Sequence, residues 1–90
     1  MITWDEKKRK ANLEKHGLDF ADASLVYDSP LKITIDSPRD GETRKLDMAM
    51  VEIAGTVLVL VYVQRGQDVR AISFRRASRK ERRFYEQAKG

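Results

Sequence analysis

The residues predict an α+β domain: two N-terminal helices, a four-stranded antiparallel sheet and a C-terminal helix, in one unit spanning 1–90. Three stretches carry this reading. Leu31 to Asp36 alternates Leu, Ile, Ile with Lys, Thr, Asp, the period of a strand with one wet face. Thr56 to Val63, TVLVLVYV, is apolar on both faces, as a central strand covered from two sides must be. Ser78, followed three residues later by Glu81, is a capping box that starts a helix near Arg79.

The other elements follow in order. Residues 1–17 read as the first helix, with Thr3 and Glu6 at capping-box spacing and Gly17 as the C-terminal stop. Its apolar stripe is thin, and Lys7 to Lys10 read as a solvated face flanked by Glu6 and Glu14. His16 lies in the last turn, where the helix dipole favours imidazolium and tends to raise the pKa. Asp19 N-caps a short second helix to Asp28, with Phe20, Ala23 and Val26 or Tyr27 at helical spacing and Pro30 beyond its end.

After the first strand, Ser37 to Glu42 is turn chemistry. Thr43 to Ile53 resumes as a strand with Leu46, Met48 and Met50 on one side, and Ala54-Gly55 turns the chain into the central strand. Arg65 to Asp68 is a hairpin loop and Val69 to Phe74 the last strand, whose simple alternation sets Arg70 and Arg75 on opposite faces. Trp4, Phe20 and Tyr62 read as core. So few helices cover both faces of the sheet incompletely, which leaves apolar surface for a partner.

Composition narrows the chemistry. With 41% hydrophobic and 36% charged residues, ninety residues make one small domain. The absence of Cys excludes disulfides and thiolate metal sites, and the single His16 argues against a His-based metal cluster, so metal-free chemistry without a cofactor is expected. The N-terminal MITWDEKKRK is charged where a secretory signal is apolar, and no apolar run reaches the roughly 18 residues of a membrane span, so a cytoplasmic location and no membrane partner are expected.

The net charge of +4 understates the asymmetry: residues 64–90 carry nine Lys and Arg against three Asp and Glu, whereas 18–43 carry two against six. Such a basic third points to a polyanion or an acidic protein. Arg79, Lys80, Arg82 and Arg83 crowd the positive end of the last helix, where a bound anion relieves repulsion and guanidinium forks suit phosphate.

These residues together resemble the BrnT family, ribonuclease toxins of type II toxin–antitoxin pairs with a RelE-like fold. The resemblance runs through Trp4-Asp5, Lys8, Asn12, Lys15-His16-Gly17, Phe20, Ala23, Asp28 and Arg44. It continues through Tyr62, Arg65, Arg70, Ile72-Ser73, Arg75, Ala77, Glu81, Arg82 and Tyr85. Phe74 stands where the family usually has a small residue, a change expected at the pocket floor. The resemblance implies an endoribonuclease that inhibits translation. It also implies an RNA substrate and neutralisation by a cognate BrnA-like antitoxin that carries the pair onto operator DNA in a higher-order complex.

Metal-free RNA cleavage needs a base for the ribose 2′-OH, cations for the phosphorane and an acid for the leaving 5′ oxygen, and yields a 2′,3′-cyclic phosphate. The expected catalytic set is His16, Arg70, Arg75, Glu81 and Tyr85, with Arg65, Arg76, Arg79 and Arg82 holding RNA. Glu81 or His16 is the base, and Tyr85 a positioning or acid group. The competing reading gives Glu81 only to its cap and an Arg, and Tyr85 to packing. That would leave a non-catalytic module that binds nucleic acid or protein through the same arginines.

Overall fold

The computed structural model describes residues 1–39 and 41–89. A five-stranded mixed sheet in the order β1-β5-β4-β3-β2 carries three helices, with β1 Ile2–Thr3, α1 Glu6–His16, α2 Ser24–Tyr27, β2 Ile33–Arg39, β3 Glu42–Val51, β4 Thr56–Arg65, β5 Asp68–Arg76 and α3 Arg79–Lys89. Among the described residues no helix is long and apolar enough to cross a membrane.

The expected four antiparallel strands are therefore corrected by one. β1 pairs parallel to β5, Ile2 opposite Val69 and Thr3 opposite Arg70, while every other pairing is antiparallel. Two residues are too short to show any alternation, so only the unpaired outer edge of β5 called for such a strand. Thr3 is accordingly no helix cap: its hydroxyl donates to the Val69 carbonyl at 3.3 Å. Asp5 caps α1 instead, accepting from the Lys7 and Lys8 amides at 2.8 and 3.2 Å. Gly17 ends the helix as expected, at φ 71°, with its amide on the Leu13 carbonyl at 2.8 Å.

The second helix is also reshaped. Asp19 is a cap, accepting from the Ala21 amide, but the chain then forms a 3₁₀ turn over Phe20–Asp22 and a single α turn in α2. Phe20, Ala23 and Val26 are the buried residues, spaced by three, and that spacing aligns on a 3₁₀ turn. The turn expected over 37–42 is narrower because β2 continues to Arg39, and Asp40 lies outside the described residues. β3 stops at Val51, before a 3₁₀ turn over Glu52–Ala54 and Gly55. The hairpin loop shrinks to Gly66-Gln67, because β4 and β5 extend to Arg65 and from Asp68.

β4 lies at the centre and is buried on both faces. One face, with Leu58, Leu60, Tyr62, Ala49 and Phe74, packs against Phe20, Ala23 and Val26; burying a side chain such as Phe20 contributes about 1.5–3 kcal/mol. The other, with Met48, Val57 and Val59, receives only Tyr85 from α3 as a fully buried partner.

Asp47, buried completely on the first face, ties the sheet to its cover. It accepts from Lys32 Nζ at 2.9 Å, Thr34 Oγ1 at 2.6 Å and the Tyr62 hydroxyl at 3.2 Å, and Lys32 sits 4.3 Å above the Tyr27 ring. We predict that Asp47→Ala, which strands these donors, lowers stability by about 3 kcal/mol. Urea unfolding checks this, and a loss below about 1 kcal/mol would show the network to be dispensable.

Candidate active site

The site begins with a parity change in β5. Arg70 lies opposite Val63 and Arg75 opposite Val59, so five residues of β5 span four of β4. The register shifts between Val61 and Tyr62, which face Ser73 and Ala71 and leave Ile72 without a register partner. This β-bulge puts Arg70 and Arg75 on one face of the sheet, where simple alternation had them on opposite faces. Arg76, next along the strand, turns to the other face.

Beyond Arg70 the outer edge of β5 has no strand beside it. Asn12 of α1 takes that place. Its Nδ2 donates to the Phe74 carbonyl at 2.8 Å, and its Oδ1 accepts from the Phe74 amide at 3.1 Å, as a neighbouring strand's peptide would. Nδ2 also donates to the Leu18 carbonyl at 3.0 Å. The side chain of Phe74 points into the core, fully buried, so the cleft floor is formed by Ile72 and Ser73.

Between α1 and this edge lies a cleft of about 310 Å³, lined by Lys8, Asn12, Lys15, His16, Ile72 and Ser73. Lys8, Asn12 and His16 follow at i, i+4 and i+8, one face of α1. Sequence reasoning leaves both lysines out of the site: Lys8 falls in the stretch 7–10 that reads as a solvated face, and its spacing of eight from His16 is the signal that places the two on one helix face.

Burial holds the His16 pKa below its ordinary 6.5, assisted by the positive charges of Lys15 and Arg75. This reverses the rise expected from the helix dipole, since desolvation and two cations outweigh it. The shift favours the neutral imidazole over the imidazolium. Its carbonyl accepts from Arg76 Nη1 at 3.3 Å, a contact that ties the end of α1 to β5.

Arg75 is held by a two-pronged pair with Glu81, Nη1 to Oε1 at 2.7 Å and Nη2 to Oε2 at 2.9 Å. Glu81 also completes the capping box: Oε1 accepts from the Ser78 amide at 2.8 Å, and the Ser78 hydroxyl accepts from the Glu81 amide at 3.1 Å. The Arg75 guanidinium and the Ser78 amide bring the Glu81 pKa down to about 2.

Of the expected site residues only His16 lines the cleft, and the Arg75–Glu81 pair and the remaining ones lie outside its lining. Arg70 approaches the Asp5 carboxylate at 4.0 Å near the start of α1. Arg65 pairs with Glu42 at 3.6 Å beside the hairpin, and Arg79 and Arg82 stand exposed on α3. The Tyr85 hydroxyl is fully engaged, donating to the Leu31 carbonyl at 2.9 Å and accepting from the Met50 amide at 3.2 Å. Among the described residues no three His, Asp or Glu side chains gather as metal ligands.

Glu81 gives a test by linkage. Its folded pKa of about 2 lies below the ordinary 4.5, so its ionised form stabilises the fold in full above pH 4.5, and this contribution fades as pH falls toward 2. We predict that Glu81→Gln is less stable than wild type at pH 7 and that the difference shrinks through this window. Chemical unfolding at several pH values checks it, and a pH-independent difference would refute the assigned pair.

No curated protein matches the chain. A family model described as the ribonuclease toxin BrnT of type II toxin–antitoxin systems matches residues 4–81, from the turn before α1 through the carboxylate that holds Arg75. The chain thus belongs to the BrnT family of ribonuclease toxins, whose target is RNA and whose partner is a cognate antitoxin.

Proposed function

We propose that this single-domain protein is a metal-independent endoribonuclease whose active site is the cleft between α1 and β5. The observation that carries the reading is geometric: the α1 face bearing Lys8, Asn12 and His16 lines a cleft over Ile72 and Ser73 of β5, and the Arg75 charge on that strand acts on His16 in favour of its neutral form. His16 takes the proton of a ribose 2′-OH, and the freed oxygen attacks the adjacent phosphorus. The P–O5′ bond then breaks, giving a 2′,3′-cyclic phosphate and a 5′-hydroxyl. Arg75, held in place by Glu81, stabilises the charge that gathers on the phosphorane, with Arg70 on the same face farther along the strand. The ammonium groups of Lys8 and Lys15 line the same cleft and are proton donors at hand for the leaving oxygen. Beside apolar Ala11 and Ile72, the polar lining is Lys8, Lys15, His16, Asn12 and Ser73 with no carboxylate, which suits a phosphate better than a divalent metal.

In this scheme Glu81 positions Arg75 rather than acting as the base, because both its oxygens accept strong hydrogen bonds and its pKa is about 2. Tyr85 anchors α3. Arg65, Arg76, Arg79 and Arg82 supply the wider positive field for the RNA strand. Cleavage of messenger RNA in the cytoplasm would arrest translation, and a BrnA-like antitoxin would neutralise the toxin and carry it to operator DNA in a higher-order complex.

The test is cleavage of a defined RNA with EDTA present, followed by analysis of the 3′ ends. Wild-type protein is expected to cleave and to leave a cyclic phosphate. His16→Ala is expected to lose about 10²–10⁴-fold in kcat, and Arg75→Ala about 10²–10³-fold. RNA bound but left intact would favour the non-catalytic binding module, and cleavage undiminished in His16→Ala would remove the imidazole from the mechanism.

A further inference from the structure

We infer that the exposed side of α3, together with Leu31 and Met50, is the docking surface for an acidic, amphipathic segment of the antitoxin. The existence of that partner rests on family membership, whereas the surface lies apart from the catalytic cleft.

Tyr85 marks its centre. The phenol is the one fully buried side chain of α3 among the described residues, and its hydroxyl joins the Leu31 carbonyl to the Met50 amide. Around this pin the apolar side chains face water: Leu31 is 52% exposed, Met50 43% and Phe84 47%. Leu31 and Met50 meet the Tyr85 hydroxyl through their backbones and Phe84 precedes Tyr85 in α3, and large side chains left half in water beside one buried residue mark an interaction surface more than scattered ones do. The sheet face beneath adds Ile33, Ile35 and Leu46, all only partly buried.

Charge then selects the occupant. Arg79, Lys80, Arg82 and Arg83 are exposed on α3, and none of them forms an ion pair among the described residues. Glu81, the acid in their midst, is taken by Arg75. Such a rim repels a basic partner and attracts an acidic one. The apolar centre needs a partner with Leu- or Phe-like side chains, which a sugar-phosphate chain lacks. An amphipathic segment with acidic flanks satisfies both halves of the surface. The family match ends at Glu81, so most of α3 lies beyond the residues matched to the family, a place suited to recognition of one particular antitoxin.

The probe is the purified product of the reading frame adjacent to that of the toxin, titrated against the full-length chain at low and high salt. Phe84→Ala combined with Arg83→Glu is expected to weaken binding at least about tenfold, while Arg83→Glu alone flattens the salt dependence. Both variants should keep the wild-type Tm and RNA-cleavage rate. Met50→Lys, on the sheet rather than the helix, should weaken binding as well, and Leu25→Ala, exposed on α2, should not. Binding within about twofold of wild type in the double variant would overturn the proposal. So would a loss of RNA affinity with antitoxin affinity retained, or an adjacent product that does not bind the wild-type chain. A toxin that cleaves no RNA yet loses its partner through these substitutions would leave the docking surface standing and remove only the nuclease reading.

Discussion

The carboxamide of Asn12 holds the site together. An outer strand of a sheet presents backbone N–H and C=O groups that must find partners, and β1 satisfies β5 only as far as Arg70. Asn12 supplies both a donor and an acceptor to Phe74 and so replaces a missing strand with one side chain. The helix that carries Asn12 also carries His16 one turn later, and the strand it grips carries Arg75 one residue later. Imidazole and guanidinium are therefore placed by the same two hydrogen bonds. The bulge at Ile72 lies two residues from Phe74, so the strap and the change of parity act on the same short piece of β5.

The second constraint joins the cleft to α3. Four cations near its N-terminus oppose the helix dipole, yet the helix forms because Ser78 and Glu81 satisfy each other's amides and Tyr85 is buried beneath it. Glu81 serves two ends at once, capping α3 and fixing the fork of Arg75. The acid that stabilises the helix is thus the one that orients the Arg75 guanidinium. Phe84, Leu31 and Met50 stay half exposed around Tyr85, and Arg79, Lys80, Arg82 and Arg83 form no ion pair among the described residues.

Much of this was legible in the residues. The doubly apolar run of β4, the alternation of β2, the stop at Gly17 and the Ser78–Glu81 box are local signals whose physics is complete within a few residues. What the sequence did not disclose depends on neighbours distant in the chain. A two-residue strand has no period, and a bulge cancels the alternation that placed Arg70 opposite Arg75. The partner of Asn12 lies 62 residues away, so nothing around it distinguished a strap from an ordinary helix asparagine. The helix dipole at His16 is visible in sequence and favours a raised pKa, whereas the burial and the Arg75 charge that lower it are tertiary. Lys8 and Lys15 share a cleft with His16 only because α1 packs against β5.

The central claim is that the imidazole in the α1–β5 cleft works as an uncharged base. Because His16 is the sole histidine, its ring can be followed by NMR without ambiguity while kcat/KM for RNA cleavage is measured across the same pH range. The account predicts a ring that titrates below 6.5 and an acid limb of kcat/KM that falls at the same pH. A ring that titrates above 6.5, or an acid limb unrelated to it, would contradict the account.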